Sequence, residues 1–156
     1  MAEKLREVVL LYNDRELEVV GQIHRALKAR LKGGEHATWF AYEDMTAFGD
    51  MFTQIRSAIA RAVGVVIFYG DAGLGDFFKN IELVTVLRKR WKQGAGFGVL
   101  VAHLPGSTAP THDELTDYPS VNHRRDITDI DEIADRIERM VTARPDKPDD
   151  GSGVAA

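Results

Sequence analysis

The chain contains no cysteine, which excludes a disulfide framework, cysteine-ligated zinc, iron–sulfur clusters and thiol catalysis together. No apolar run approaches the roughly 18 residues that cross a bilayer, and residues 1 to 6, Met-Ala-Glu-Lys-Leu-Arg, are too charged to be a targeting segment. Positive charge is not in excess. Lys and Arg number 20 against 24 Asp and Glu, a net charge of -4, so no basic field draws the chain to nucleic acid or to a membrane surface. The histidines, at positions 24, 36, 103, 113 and 123, form no His-x-x-x-His or His-Glu pattern, and no metal is expected. There is no Gly-Lys-Ser/Thr, so a P-loop is excluded. Gly73-Leu74-Gly75 lacks the third glycine of a dinucleotide fingerprint, and Gly94-Ala95-Gly96-Phe97-Gly98 precedes a strand instead of opening a helix. What remains is a 156-residue chain, 44% apolar and 28% charged, with the balance of an ordinary globular protein. It is long enough for one domain and is expected to be soluble and cytoplasmic.

Periodicity then sets the order of elements. Glu7 to Tyr12 is a short apolar run, and Leu17, Val20, Ile23, Leu27 and Leu31 follow at helical spacing until Lys32-Gly33-Gly34 ends the helix. His36 to Tyr42 reads as a second strand. Asp50 is placed to cap a second helix with Phe52, Ile55 and Ile59 on one face. Gly64 to Tyr69 is apolar and β-branched throughout, which suits a parallel strand buried on both faces. It runs into the glycine-rich segment Gly70 to Gly75 and a third helix from about Phe77 to Lys92, with Ile81, Val84, Leu87 and Trp91 expected inward. The cations Arg88, Lys89, Arg90 and Lys92 crowd its last turn, where they complement the helix dipole and stay solvated. Phe97 to Ala102 is a fourth strand, residues 104 to 118 a long loop or irregular helix, and Val121 to His123 a fifth strand. Thr128 with Asp131 matches a capping box before Ile130, Ile133, Ile137 and Met140. The expected domain spans residues 1–143, with 144–156 a linker or tail.

Five strands alternating with helices predict an α/β fold: a five-stranded parallel sheet covered on both faces, with ligands bound beyond the strands' carboxyl ends. Glu82 is the informative acid on that edge. It lies early in the third helix after a glycine-rich loop, with Phe78 one turn before it on the same face. A carboxylate there can simply favour the helix dipole. Flanked by Ile81 and Leu83, it can equally be a partly desolvated acid beside an aromatic platform, a pair suited to holding a flat cationic heterocycle and acting on the adjoining sugar carbon.

In order and spacing the chain resembles a TIR (Toll/interleukin-1 receptor) domain of the bacterial kind, from about Val8 to Val141. The residues that carry the resemblance are Val8-Val9-Leu10-Leu11-Tyr12-Asn13, Trp39 to Asp44 leading into Gly49-Asp50-Met51-Phe52, Val65 to Gly75 with Phe77 to Leu83, and Leu104-Pro105-Gly106. The resemblance implies a flavodoxin-like three-layer sandwich and cleavage of NAD+ between nicotinamide and ribose, with hydrolysed or cyclised ADP-ribose products. It makes Glu82 the catalytic glutamate, with Phe78 in the place of the family's usual tryptophan. Tyr12 and Asn13 then border the nucleotide, and Phe40 stands near the substrate-facing aromatic.

The resemblance also implies activation by self-association, with Tyr42, Glu43, Asp44, Met45, Phe48 and Gly49 forming the BB-loop interface. NAD+ is substrate and no cofactor is needed. A role in bacterial antiphage immunity and a C-terminal sensor domain in a longer chain follow as expectations. Two other readings stay open. One is a scaffold module that assembles through the same loop without chemistry. The other is a phosphoacceptor receiver, for which Asp14 and Asp71 are present but Arg124 and Arg125 stand where a lysine is required.

Overall fold

The computed structural model describes residues 5–71, 82–107, 118–122 and 127–143. Within these, β1 (Arg6–Leu11), α1 (Leu17–Leu31), β2 (His36–Phe40), α2 (Ala41–Asp44), α3 (Met51–Arg61), β3 (Gly64–Tyr69), α4 (Leu83–Gln93), β4 (Gly98–His103), β5 (Ser120–Val121) and α5 (Ile130–Val141) follow in order. The described strands form one sheet in the order β2-β1-β3-β4-β5, and each neighbouring pair is parallel. This is the flavodoxin-like order, with its switch point between β1 and β3.

Alternation along each strand divides the core in two. Val8 and Leu10 of β1, Val66 and Phe68 of β3, and Leu100 and Ala102 of β4 pack with Val20, Ile23 and Leu27 of α1 and Ile133 and Ile137 of α5. Val9 and Leu11, Val65 and Ile67, and Val99 and Val101 point the other way, to Ile55 and Ile59 of α3 and Leu83 and Val86 of α4. All six residues of β3 are buried, as its composition predicts.

Several local expectations are corrected. The second strand stops at Phe40, because the Asp44 carboxylate accepts the Phe40 N–H at 2.7 Å and turns Ala41 to Asp44 into a helical turn. The last helix is capped by Asp129, whose side chain accepts from the Asp131 N–H at 3.0 Å; Thr128 is not the cap. Asp50 caps α3 as expected, accepting from Thr53 N–H and hydroxyl at 2.8 Å each. The described part of the fifth strand is Ser120–Val121; His123, the first part of the third helix with Phe77, Phe78 and Ile81, the glycines Gly73 and Gly75, and residues 144–156 lie outside the described residues.

The inward face of α4 is set by its cations. Leu83 and Val86 are buried and Leu87 packs beside them, whereas Val84 and Trp91, expected inward, are exposed. Arg90 takes the next inward place, donating to the Phe97 carbonyl at 2.7 Å. Lys89 is not simply solvated either. Its ammonium lies 4.7 Å from the centre of the Phe97 ring and donates to the carbonyls of Ile59, Ala60 and Ala62 at 2.7, 2.6 and 2.8 Å, closing the C-terminus of α3. Burial holds its pKa below the usual lysine value. Replacing Lys89 by Met keeps the stem but leaves three carbonyls without this donor. The variant is expected to lose about 2–3 kcal/mol in urea denaturation, with wild-type stability refuting the clamp.

Candidate active site

β1 and β2 deliver their last residues to the carboxyl edge of the sheet, and a short turn beyond β1 is closed by Asn13. The Asn13 side-chain oxygen accepts from the Arg15 N–H at 3.0 Å, shaping the turn Asp14–Glu16. Gly70, just past β3, leaves room for this turn: a Cβ there would stand 2.7 Å from Glu16 Oε1 and 2.8 Å from Leu104 Cδ1. The same edge receives the start of α4, where Glu82 is the N-terminal flanking residue.

Glu82 is 6% exposed. Burial pushes its carboxyl up to about 8, with the nearby Asp14 carboxylate adding to the effect. Tyr12 belongs to the same neighbourhood, its hydroxyl pushed up to about 12 by burial and by Asp14, with a smaller push from Glu82 and an opposing hydrogen bond with the Tyr42 backbone. The Tyr12 ring lies 5.2 Å from Phe40, and Phe40 lies 6.2 Å from Tyr42. The structure therefore brings Glu82, Asp14, Tyr12, Phe40 and Tyr42 together at one edge: a desolvated acid beside an aromatic row.

The expected site residues have distinct positions in this arrangement. Tyr12 is half-buried and Phe40 is buried beneath it, so Phe40 supports the row from below. Asn13 organises the turn. Phe78 lies outside the described residues. Of the expected interface segment, Tyr42, Glu43 and Asp44 form α2, Met45 packs partly on the core, and Gly49 has φ +113 at the turn before α3. Phe48 is exposed.

Two contributors escaped the sequence reading. His24 is buried, with its ring 4.4 Å from Phe40 and Nε2 2.9 Å from Thr38 Oγ1. Its Nδ1 stands 3.6 Å from a Glu43 oxygen, and burial lowers its pKa despite that carboxylate. The signal was its place one turn after Val20, on the apolar stripe of α1. Asp14 was noted in the sequence only as an acid of the receiver reading, since its effect on Glu82 depends on two segments distant in sequence.

A cavity of about 250 Å³ lies at the opposite, amino edge, lined among others by Arg6, His36, Gly64, Gly98 and Met140, with no carboxylate among its described lining residues. Gly64 and Gly98 are register partners there and contribute no side chains, so the space follows from packing. The buried acid and the aromatic row lie at the carboxyl edge, away from this cavity. Among the described residues no group of three or more acids and histidines is arranged to hold a metal ion, and no helix is long and apolar enough to cross a membrane.

Sheet order, helical layers and edge site define a flavodoxin-like α/β domain with an acidic, aromatic site at its switch edge. Among solved structures the chain is similar to the TIR domain of the Toll-related receptor TRR-2 from Hydra magnipapillata, at 19% identity and a TM-score of 0.45 over 75% of this chain and 85% of that one. No family model and no curated protein matches the chain.

The Glu82 environment has a consequence for stability. The carboxyl keeps its proton up to about pH 8 when folded but titrates near 4.5 when unfolded. The folded state binds more protons between those values, so the group's contribution to stability falls as pH rises through that window. Glu82→Gln is expected to melt several degrees above wild type near pH ~9 and to converge with it near pH ~5. Thermal denaturation at both pH values checks this; an equal gain at both refutes a buried acid.

Proposed function

We propose that this chain is a TIR domain that cleaves NAD+ at the nicotinamide–ribose bond, with Glu82 at the reaction centre and activity promoted by self-association. The observation that carries the reading is the desolvated Glu82 carboxyl beside the Tyr12–Phe40–Tyr42 row at the carboxyl edge. A flat cation docking on the row compensates the charge that burial disfavours, so substrate itself promotes ionisation of Glu82. The C–N bond between ribose and nicotinamide then breaks, with its electron pair leaving on neutral nicotinamide. The ionised carboxylate stabilises the oxocarbenium-like sugar and orients a ribose hydroxyl. Water adds to that carbon and gives up its proton, yielding ADP-ribose; an intramolecular nucleophile gives a cyclic product instead.

Tyr12, Asn13 and Phe78 are assigned to bordering the substrate, with Phe40, expected there as well, buried and supporting Tyr12 from below. NAD+ is the substrate and no cofactor is required. The resemblance further supports a role in bacterial antiphage immunity in the cytoplasm, with a C-terminal sensor domain controlling assembly in a longer chain.

Nicotinamide release at high protein concentration, with and without a crowding agent, tests the reading. Wild type is expected to consume NAD+ and Glu82→Gln to lose at least about a hundredfold in rate. If the ionised carboxylate acts, kcat/KM rises about tenfold per pH unit towards about 8 and levels off above it. A flat profile refutes Glu82 as that group. Exposure of Tyr42 and Phe48 favours a second reading, an interaction module without chemistry. It prevails if assembled protein leaves NAD+ intact and assembly survives Glu82→Gln.

A further inference from the structure

The packing that leaves space at the amino edge also leaves it with charge of one sign. The floor of that cavity forms where β3 and β4 begin: Gly64 faces Gly98 in register on one side and Val8 of β1 on the other. A Cβ on Gly64 would stand 3.0 Å from the Gly98 carbonyl oxygen, so strand pairing itself keeps a side chain out. One on Gly98 would meet nothing within 4 Å, because the space beside it is open. By alternation both glycines lie on the side of Val66 and Leu100, which α5 covers, and Met140 and Val141 of its last turn contribute to the lining.

Among the described lining residues the ionisable groups are Arg6, His36 and Arg90, in a chain whose net charge is -4. Arg6 and His36 are register partners on β1 and β2. His36 is buried, and burial first, then the Arg6 guanidinium, holds its pKa below the ordinary value against an opposing push from Glu35. Arg90 is fixed at the lining by its bond to the Phe97 carbonyl, at 2.7 Å, and lies 6.0 Å from the centre of the Tyr118 ring. Cations around an apolar floor are the complement of an anion with an apolar body.

Volume narrows the class further. An apolar cavity of about 150 Å³ takes up benzene, and sites for drug-sized ligands run to roughly 300–1,000 Å³. The amino-edge cavity, at about 250 Å³, fits one ring with a short acidic arm and is too small for a dinucleotide.

We propose that the amino-edge cavity is a binding site for a small carboxylate with a single-ring apolar body, its ring against the two glycines and its carboxylate met by Arg6 and Arg90. This site is separate from the one in the proposed function, which lies at the other end of the strands.

Amide NMR spectra of the full chain, titrated with phenylacetate, test this. The Gly64, Gly96 and Gly98 signals are expected to move, and the neutral phenylacetamide is expected to bind roughly tenfold more weakly or worse. Arg6→Gln, at an exposed position, is expected to weaken phenylacetate by a similar factor with an unchanged melting temperature. Gly98→Val places a β-branched side chain in the open space at the start of a strand, and is expected to abolish the shifts and keep the fold. Glycine signals that stay still at millimolar phenylacetate overturn the proposal. So do phenylacetamide binding as tight as that of phenylacetate, wild-type binding by Arg6→Gln, and shifts that survive Gly98→Val. None of these readouts involves NAD+ cleavage, so a blank cleavage assay leaves the proposal standing and overturns only the catalytic reading.

Discussion

The structure depends on one constraint: its parallel sheet is buried on both faces. β1 and β3, at the centre, send alternate side chains into two separate cores, so neither face has room for a ligand. Reactive or recognising groups can then be placed only at strand ends and on the outer faces of helices. Glu82, Asp14 and Tyr12 lie at the first kind of place.

The acid at the edge shows what such a scaffold can do to a simple side chain. Glu82 lies among groups that withhold water from it and near Asp14, which discourages a second negative charge. It therefore sits in a state that a cation improves. His24 and Phe40 stack between α1 and β2, so the aromatic row rests on core packing instead of on loop conformation.

Much of this architecture was legible in the sequence, and what was not has definite causes. The apolar run Gly64–Tyr69, the α1 stripe and the Asp50 cap each declare themselves within a few residues, because they depend on local periodicity or local hydrogen bonding. The carboxyl-edge location of Glu82 follows from the βαβ pattern alone. The turn Ala41–Asp44 was hidden because one side chain, Asp44, overrides the β preference of the preceding aromatics. The face of α4 was misread because Lys89 and Arg90 find carbonyl partners from α3 and from Phe97, distant in sequence, while a tryptophan remains outside. The part His24 plays was not legible because a histidine's presence says little about which core it completes.

The Lys89 clamp has a geometric consequence. It fixes α4 against the end of α3 at a single point, and the helix then carries Glu82 at its start and Trp91 two residues beyond the clamp. With about 100° of rotation and 1.5 Å of rise per residue, the clamp acts as a phase reference for both ends. Inserting or deleting one residue between Glu82 and Lys89 would turn the acid away from the sheet edge and leave Trp91 where it is. The length of this helical segment is thus as constrained as its composition, and the acid at one end of α4 and the tryptophan at the other keep a fixed angular relation for as long as the ammonium holds its three carbonyls.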